Sequence, residues 1–146
     1  MSIFNSFDIS ATGMTAQRFR SDIITQNIAN ATTTRTEDGT PYRRRVVTFA
    51  EKTNTPFSNV LARTSADVTG SGVKVTRVSE DYETEMVMAY DPSHPDADEN
   101  GYVTYPNVNI ITEMTNLIDA TRSYEANATA FEASKSIVTK GLSLGQ

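Results

Sequence analysis

The sequence predicts an α+β protein in which long N- and C-terminal α-helices pack as a coiled coil, with a small β-rich insert between them. Two observations support this fold class. At both ends of the 146-residue chain, apolar residues recur at alternating spacings of three and four. Such a 3.5-residue repeat forms one narrow stripe on a helix and coils around a partner helix. In the middle, apolar and polar residues alternate with the period of a β-strand, over stretches too short for an independent β-domain.

The C-terminal stripe is the longer of the two. At 1.5 Å per residue its helix would be about 50 Å long, which is far more than a core helix needs in so small a domain. A partner helix is therefore expected. Polar residues occupy only two positions of the repeat, Thr121 and Lys135. The apolar positions are Ile110, Met114, Leu117, Tyr124, Ala128, Phe131, Val138 and Leu142.

The first thirty residues supply a matching stripe, which only Arg18 interrupts. Gly13 lies within it and costs roughly 1 kcal/mol of helix stability relative to Ala, so this helix should depend on packing. We interpret the two stripes together as an assembly seam. The alternative is an ordinary antiparallel helical hairpin inside a globular core. The N-terminal seam positions are Phe4, Phe7, Ala11, Met14, Ile24 and Ile28.

Composition divides the chain into four segments. Thr- and Asn-rich sequence ends the first helix, and Pro92, Pro95 and Pro106 stiffen an extended crossing because each proline fixes φ and disfavours helix before it. Asn107 or Asn109 is the predicted N-cap of the last helix. The predicted segments are an N-terminal coiled-coil helix at 1–35, a β-rich connector at 36–90, a Pro/Asp-rich extended loop at 91–107 and a C-terminal coiled-coil helix at 108–146.

Three strands are predicted inside the connector, at 42–49, 73–76 and 83–90, because each is rich in β-branched, aromatic or alternating residues. Between the first two strands, residues 51–72 are rich in Thr, Ser, Asn and Gly, with one short apolar stretch at 60–62. This composition is typical of loops.

Charge and composition exclude several classes of function. The net charge of −5 and the pI near 4.8 argue against a nucleic-acid partner, which needs a clustered excess of Lys and Arg. The only basic cluster, Arg43 to Arg45, is interpreted as a strand segment whose charges pair with acidic residues. Without cysteine the chain forms neither disulfides nor thiolate metal sites. No apolar run approaches the roughly 18 residues of a membrane span, and a cleavable signal pattern is absent, so any export is expected to use another route.

One segment partly matches a calcium-binding loop. Asp96, Asp98 and Asn100 place oxygen ligands at alternate positions ahead of Gly101. The position that should supply a bidentate glutamate is Asn107, and the preceding prolines exclude the incoming helix that such a loop needs. We therefore predict no metal and no cofactor, with a calcium-dependent module kept as a third interpretation.

Catalytic patterns are also lacking in the sequence. His94 is the single histidine, and there is neither a Gly-x-Ser-x-Gly elbow nor a Gly-rich phosphate loop. Nothing around the closely spaced acidic residues near Asp91 would desolvate them enough to tune a pKa for acid-base work. The prediction is a protein that is not an enzyme and has no catalytic residues.

Two stretches of the chain contain motifs of a known family. The first stretch runs from Phe7 to Arg43 and contains Asn27 and Asn30. The second runs from Tyr90 to Asn127 and is the more specific of the two. Its motif residues are Asp91, Pro92, His94, Pro95, Gly101, Tyr102, Pro106 and Asn107. Together the two stretches resemble the flagellar axial proteins, and within them the basal-body rod proteins of the proximal rod.

This resemblance implies a structural subunit that is exported by the flagellar type III apparatus and assembles helically into the proximal rod, which transmits torque from motor to hook. The implied partners are further copies of the chain, other rod proteins, the membrane-ring (MS-ring) protein, the ring-rod junction protein and the export apparatus. The implied location is the basal body within the cell envelope and periplasmic space. The alternative function is a helical-hairpin adaptor that binds a partner helix.

Overall fold

The structure is a computed structural model that describes residues 3–52 and 70–144. The described part contains two long helices and two small antiparallel sheets, one of β1 with β2 and one of β3 with β4, which confirms the α+β class. Residues 53–69, which include the apolar stretch at 60–62, lie outside the described residues. In chain order the elements are α1 (Ile3–Ala29), β1 (Arg45–Glu51), β2 (Val73–Glu80), β3 (Val87–Tyr90), β4 (Tyr102–Tyr105) and α2 (Ile110–Ser143).

The chain divides into two compact units, and both helices contribute to each of them. Strands β1 and β2 are also shared between the units, whereas β3 and β4 belong to one unit alone. Unit 1 comprises the described residues of Met1–Phe19, Phe49–Thr76 and Ala120–Gln146, and unit 2 comprises Arg20–Thr48 and Arg77–Asp119.

In unit 1 the two helices meet through an aromatic pair and a glycine. The rings of Phe7 and Phe131 pack edge to face with centroids 4.9 Å apart. A Cβ atom on Gly13 would come within 2.6 Å of the Asn127 side-chain oxygen, so the absence of a side chain permits close approach. From Phe7 to Gly13 the chain advances along α1, while the contacted residue moves back along α2 from Phe131 to Asn127. The helices are therefore antiparallel in this unit.

Unit 1 also holds the start of β2 against α1. Thr12 Oγ1 donates a hydrogen bond to the Ile9 carbonyl at 2.8 Å and accepts one from the Val73 N–H at 3.2 Å. Gly72 has a φ of +99°, and a Cβ atom there would collide with the Thr12 hydroxyl. Only glycine meets both requirements at this position, because left-handed backbone and close approach each disfavour a side chain.

In unit 2 the β3–β4 hairpin has a fixed antiparallel register. Tyr90 lies opposite Tyr102, and Ala89 lies opposite Val103, whose side chain is fully buried. The Asp98 carboxylate accepts hydrogen bonds from the Asn100 and Tyr102 N–H groups and shapes the turn into β4. The predicted extended loop at 91–107 therefore contains a strand, β4. No local sequence pattern indicates it, because the Asp98 side chain makes this turn rather than a recognisable hairpin dipeptide.

Local hydrogen bonds also set where α2 and β3 begin. Asn109 Oδ1 accepts hydrogen bonds from the Ile111 and Thr112 N–H groups at 3.0 and 3.2 Å, so Asn109, and not Asn107, is the N-cap of α2. Strand β3 begins at Val87 rather than at 83, because the Asp81 carboxylate binds the N–H groups of the residues at 83 and 84 and turns the chain there.

The described part has a small apolar core. Sixteen large hydrophobic residues are exposed there, far more than the buried apolar set, so much of the apolar surface has no cover within the described chain. Among the described helices, none is both long and apolar enough to cross a membrane. The buried apolar residues are Ala16, Ile23, Ile24, Tyr42, Val103 and Ala120.

Candidate functional site

The most constrained side chain in unit 2 is Asn27, which is fully buried near the end of α1. Its Nδ2 group donates hydrogen bonds to the Arg45 carbonyl and to Glu113 Oε2, both at 2.9 Å. Its Oδ1 atom accepts hydrogen bonds from the Tyr42 hydroxyl and the Arg45 N–H, both at 2.9 Å. A side-chain amide has two donors and two acceptor sites, so every one of them is satisfied. Asn27 thereby joins α1, the start of β1 and α2.

Glu113, in the first turn of α2, is the buried charge of this network, with a relative exposure of 1%. Its Oε1 atom accepts hydrogen bonds from Arg44 Nε at 3.0 Å and Asn116 Nδ2 at 3.2 Å, and it lies 2.9 Å from Arg44 Nη2. Arg44 also approaches Asp81 Oδ2, at 3.5 Å. A buried carboxylate is tolerated only when it is paired and fully hydrogen-bonded, and these contacts meet both conditions.

Asn107 is the second asparagine of the network and is also buried. Its Oδ1 atom accepts a hydrogen bond from the Arg44 N–H at 2.8 Å, and its Nδ2 group donates to the carbonyls of Asp81 and Thr84 at 2.9 and 3.1 Å. The Arg44 carbonyl in turn accepts a hydrogen bond from the Asp81 N–H at 2.8 Å. Asn27 and Asn107 thus hold the backbones of two consecutive arginines at the start of β1.

The environment shifts two ionisable groups of the network. Hydrogen bonds from the Thr84 N–H and hydroxyl are the main cause that lowers the pKa of Asp81, with smaller contributions from Glu83 and Arg44. Burial raises the pKa of Tyr42, so its hydroxyl stays protonated at neutral pH and donates to Asn27. Both shifts keep these groups in the charge state that the hydrogen bonds require.

The acidic turn at 91–98, which precedes β4, is held by hydrogen-bond donors of the protein. Asp96 accepts a hydrogen bond from the Thr34 hydroxyl at 2.8 Å and pairs with Arg35 at 3.3 Å. The Asp91 carboxylate accepts two hydrogen bonds from Ser93, and these lower its pKa. Within residues 3–52 and 70–144, no group of three or more His, Cys, Asp or Glu side chains is placed to hold a metal ion.

The predicted motif residues have different positions and roles in unit 2. Two of them, Asn27 and Asn107, form the centre of the polar network, and Asn30 binds the Gln26 carbonyl at the end of α1. Gly101 is buried with a φ of +82°. His94 Nδ1 accepts a hydrogen bond from the Asp96 N–H. Pro106 is buried, Tyr102 begins β4, and Asp91, Pro92 and Pro95 lie in the acidic turn.

The structure places the predicted seam residues at three levels of exposure. Among the seam residues whose side chains are described, Ile24 is the buried one, and the rings of Phe7 and Phe131 are in contact. The side chain of Phe4 lies outside the described part. The half-buried positions are Phe7, Ala11, Met14, Ile28, Leu117, Ala128, Phe131 and Val138, and the exposed positions are Ile110, Met114, Tyr124 and Leu142.

Sequence reasoning did not identify four members of the polar network, namely Tyr42, Arg44, Asp81 and Glu113. Arg44 was recognised only as part of a basic cluster that pairs with acidic residues, and it does pair with two of them. Glu113 does carry a signal in the sequence, because it precedes Leu117 of the predicted seam by four residues and so lies on the same helix face. A carboxylate on the packed face of a helix predicts a buried partner.

Known proteins resemble this chain over its whole length. Residues 99–144 match the family model described as the C-terminal region of the flagellar basal body rod FlgEFG proteins. The chain is 41% identical to flagellar basal-body rod protein FlgC of Borreliella burgdorferi, covering 100% of this chain and 99% of the relative. It is 41% identical to the FlgC protein of Bacillus subtilis and 38% identical to that of Salmonella typhimurium, with complete coverage of both chains in each case. The chain therefore belongs to the FlgC family of flagellar basal-body rod proteins, which are structural components of the rod.

Proposed function

We propose that the chain is a non-enzymatic subunit of the proximal rod, exported by the flagellar type III apparatus and assembled helically with further copies of itself. It lies in the part of the basal body that crosses the periplasmic space and transmits torque from motor to hook. Its other partners are neighbouring rod proteins, the MS-ring protein, the ring-rod junction protein and, before assembly, the export apparatus.

One observation carries this proposal: an exposed apolar face covers the first turns of α2. Ile110, Ile111, Met114 and Ile118 are 45%, 77%, 55% and 53% exposed. Burial of apolar surface is favourable by about 25 cal/mol per Å², so a contiguous face of this kind favours association. Assembly with neighbouring subunits would remove the face from water.

In this proposal the terminal segments form the axial core and the central segments form contacts around it. Residues 1–35 and 108–146 pack as a coiled coil through the predicted seam, while 36–90 and 91–107 provide lateral surfaces. The polar network of unit 2 supports a role in transmitting torque. A buried network whose hydrogen bonds are all made fixes one geometry and resists partial opening. A shaft needs such fixed geometry to transmit torque.

The test uses a strain that lacks the gene, complemented with variants of the chain. We expect nonmotile cells whose basal bodies stop before the rod, and recovery of swimming with the unaltered chain. Ile111→Asp should fail to restore rods, since it places a charge in the exposed apolar face. Thr112→Asp is the matched control, because it adds the same charge at an exposed polar position on a different side of α2.

Circular dichroism of the purified variants separates assembly from folding, because Ile111 is 77% exposed and its replacement should leave the monomer intact. Normal swimming of the strain without the gene would contradict the rod function. Normal rods built with Ile111→Asp would contradict the packing face while leaving the function in place. A folded monomer that never polymerises would favour the adaptor alternative.

A further inference from the structure

The β3–β4 hairpin of unit 2 has one exposed face of large apolar side chains. Met88, Tyr90 and Tyr102 share this face by the register of the two strands, and they are 64%, 67% and 44% exposed. The two tyrosine rings pack edge to face, 5.3 Å between centroids. The opposite face contains Val103, which is fully buried. Tyrosine and methionine are enriched in the centres of protein interfaces, so the exposed face has the composition of a docking surface.

Charge restricts what can occupy this face. Unit 2 contains 13 acidic and 6 basic residues, a formal charge of −7. Exposed carboxylates flank both strands of the hairpin, with Glu83 and Glu85 before β3, and Asp98 and Glu99 before β4. Two copies of unit 2 would repel each other at such a contact, because like charges brought together are unfavourable. The occupant should therefore be a positively charged surface with an apolar centre.

Unit 1 offers a surface with these properties. It contains 5 acidic and 7 basic residues, a formal charge of +2. One exposed side of α2 in unit 1 combines apolar residues with two basic residues, and this side is distinct from the one that packs Phe131 against α1. Its members are separated by three or four residues, which keeps them on one stripe of the helix. The apolar members are Ala126, Ala130, Ala133, Ile137 and Leu144, with Arg122 and Lys140 on the same side.

We propose that the exposed hairpin face of one copy docks on this side of α2 in a second copy. The proposal rests on the proposed function, because it supposes that copies are neighbours in the rod. Large side chains on the hairpin would pack over small alanines on the helix, and the acidic flanks would face Arg122 and Lys140. The two surfaces differ and belong to different units, so the contact is heterologous. Repeated heterologous contacts generate an open helix when the rotation between copies does not close, or a ring when it does, rather than a two-fold dimer.

Site-directed disulfide formation tests the contact directly, because the natural chain contains no cysteine. Two chains with different tags, one with Tyr90→Cys and one with Ala130→Cys, are co-expressed in the strain that lacks the gene, and isolated basal bodies are oxidised. A disulfide requires Cα atoms within about 7 Å, so the mixed pair should cross-link at least about tenfold more than a control pair. The control combines Tyr90→Cys with Leu142→Cys, which is exposed on another side of α2.

Charge exchange gives a second, independent readout. Arg122→Glu with Lys140→Glu on the Ala130→Cys chain should reduce the cross-link to the control level. Glu85→Lys with Glu99→Lys on the Tyr90→Cys chain should restore it, because the opposite charges then face each other again. Restoration would establish the pairing of the two surfaces, since unrelated damage to one chain is not repaired by changing the other.

The outcomes separate this contact from the function itself. Swimming cells whose Tyr90 and Ala130 pair cross-links no more than the control would overturn the docking and leave the rod function intact. If the Tyr90→Cys chain cross-links instead to a protein of a different mass, the partner is not a second copy of the chain and the proposal is wrong. Failure of even the cysteine-free chain to restore swimming would contradict the rod function. If Tyr90→Cys alone impairs swimming, Met88→Cys on the same hairpin face takes its place.

Discussion

Each of the two units is stabilised internally by a different kind of interaction. Unit 2 depends on a buried polar network around Asn27 and Glu113, in which each hydrogen bond joins particular atoms. Unit 1 depends on the contact of Phe7 with Phe131 and on the close approach at Gly13. Apolar packing depends on side chains of complementary shape and suitable volume, whereas a buried polar network also requires a partner for every donor and acceptor. We therefore expect abrupt losses of stability from changes in unit 2 and graded losses from changes in unit 1.

The largest expected effect follows from removal of the buried carboxylate in unit 2. Glu113→Ala leaves a donor of Asn27 and two nitrogens of Arg44 without their acceptor, and loss of one partner from a buried ion pair costs about 3 kcal/mol or more. Urea unfolding of the purified chain measures the loss. Glu125→Ala is the matched control on the exposed side of the same helix, with an expected change within about 0.5 kcal/mol. Equal losses in the two variants would show that the network is not a centre of stability.

A smaller effect is expected in unit 1. Phe131→Ala removes the edge-to-face contact with Phe7, and because Phe131 is only half-buried the loss should be about 1 to 2 kcal/mol. Ile137→Ala, at a position that is 67% exposed, is the control with little expected change. The same unfolding measurement applies. If Phe131→Ala destabilises the chain more than Glu113→Ala, the apolar unit dominates and the comparison is reversed.

The periodic parts of the fold were predictable from sequence, and the parts set by distant side chains were not. The two long helices follow from the 3.5-residue spacing, and residue type limited the N-cap of α2 to Asn107 or Asn109, of which the structure selects Asn109. Strand β4 was missed because the Asp98 side chain forms its turn. The network was missed because its central hydrogen bond joins residues 86 positions apart, and no local pattern reports such a pair. The family motif nevertheless contained Asn27 and Asn107, the two asparagines at the centre of the network.

The spacing also failed to distinguish the packed side of α2 from its exposed sides. Leu117 is half-buried, yet Met114, one step earlier in the same repeat, is 55% exposed. Apolar residues occur on several sides of this helix, so more than one stripe fits a spacing of three and four. The side of α2 that packs against other parts of the chain is the one that contains the buried carboxylate of Glu113. Sequence reasoning therefore predicted that α2 associates, but not which side does so within one chain.

The pH dependence of stability tests unit 2 by a different route. The pKa of Asp81 is lowered in the folded chain, chiefly by hydrogen bonds from Thr84, so its contribution is present above the ordinary value of 3.8. That contribution is lost as the pH falls through the folded pKa, because protonation then favours the unfolded state. Asp81→Asn should flatten this part of the acid limb of a stability profile from pH 7 to pH 2. Thr84→Ala should give an intermediate profile, and an unchanged limb in Asp81→Asn would contradict the assignment.

The smallest expected effect concerns the glycine of unit 1, where apolar packing is also selective. Alanine is favoured over glycine inside a helix by about 1 kcal/mol, yet a Cβ atom at position 13 would lie 2.6 Å from Asn127 Oδ1. Gly13→Ala alone should gain little or lose stability, because Asn127 must move and its hydrogen bond to the Ser123 carbonyl is disturbed.

In an Asn127→Ala background the same change should stabilise the chain by up to about 1 kcal/mol. Equal gains in both backgrounds would mean that the helices separate freely at this point. A gain confined to the Asn127→Ala background would show that unit 1 specifies one close approach of its helices, by excluding a single methyl group rather than by matching donors to acceptors.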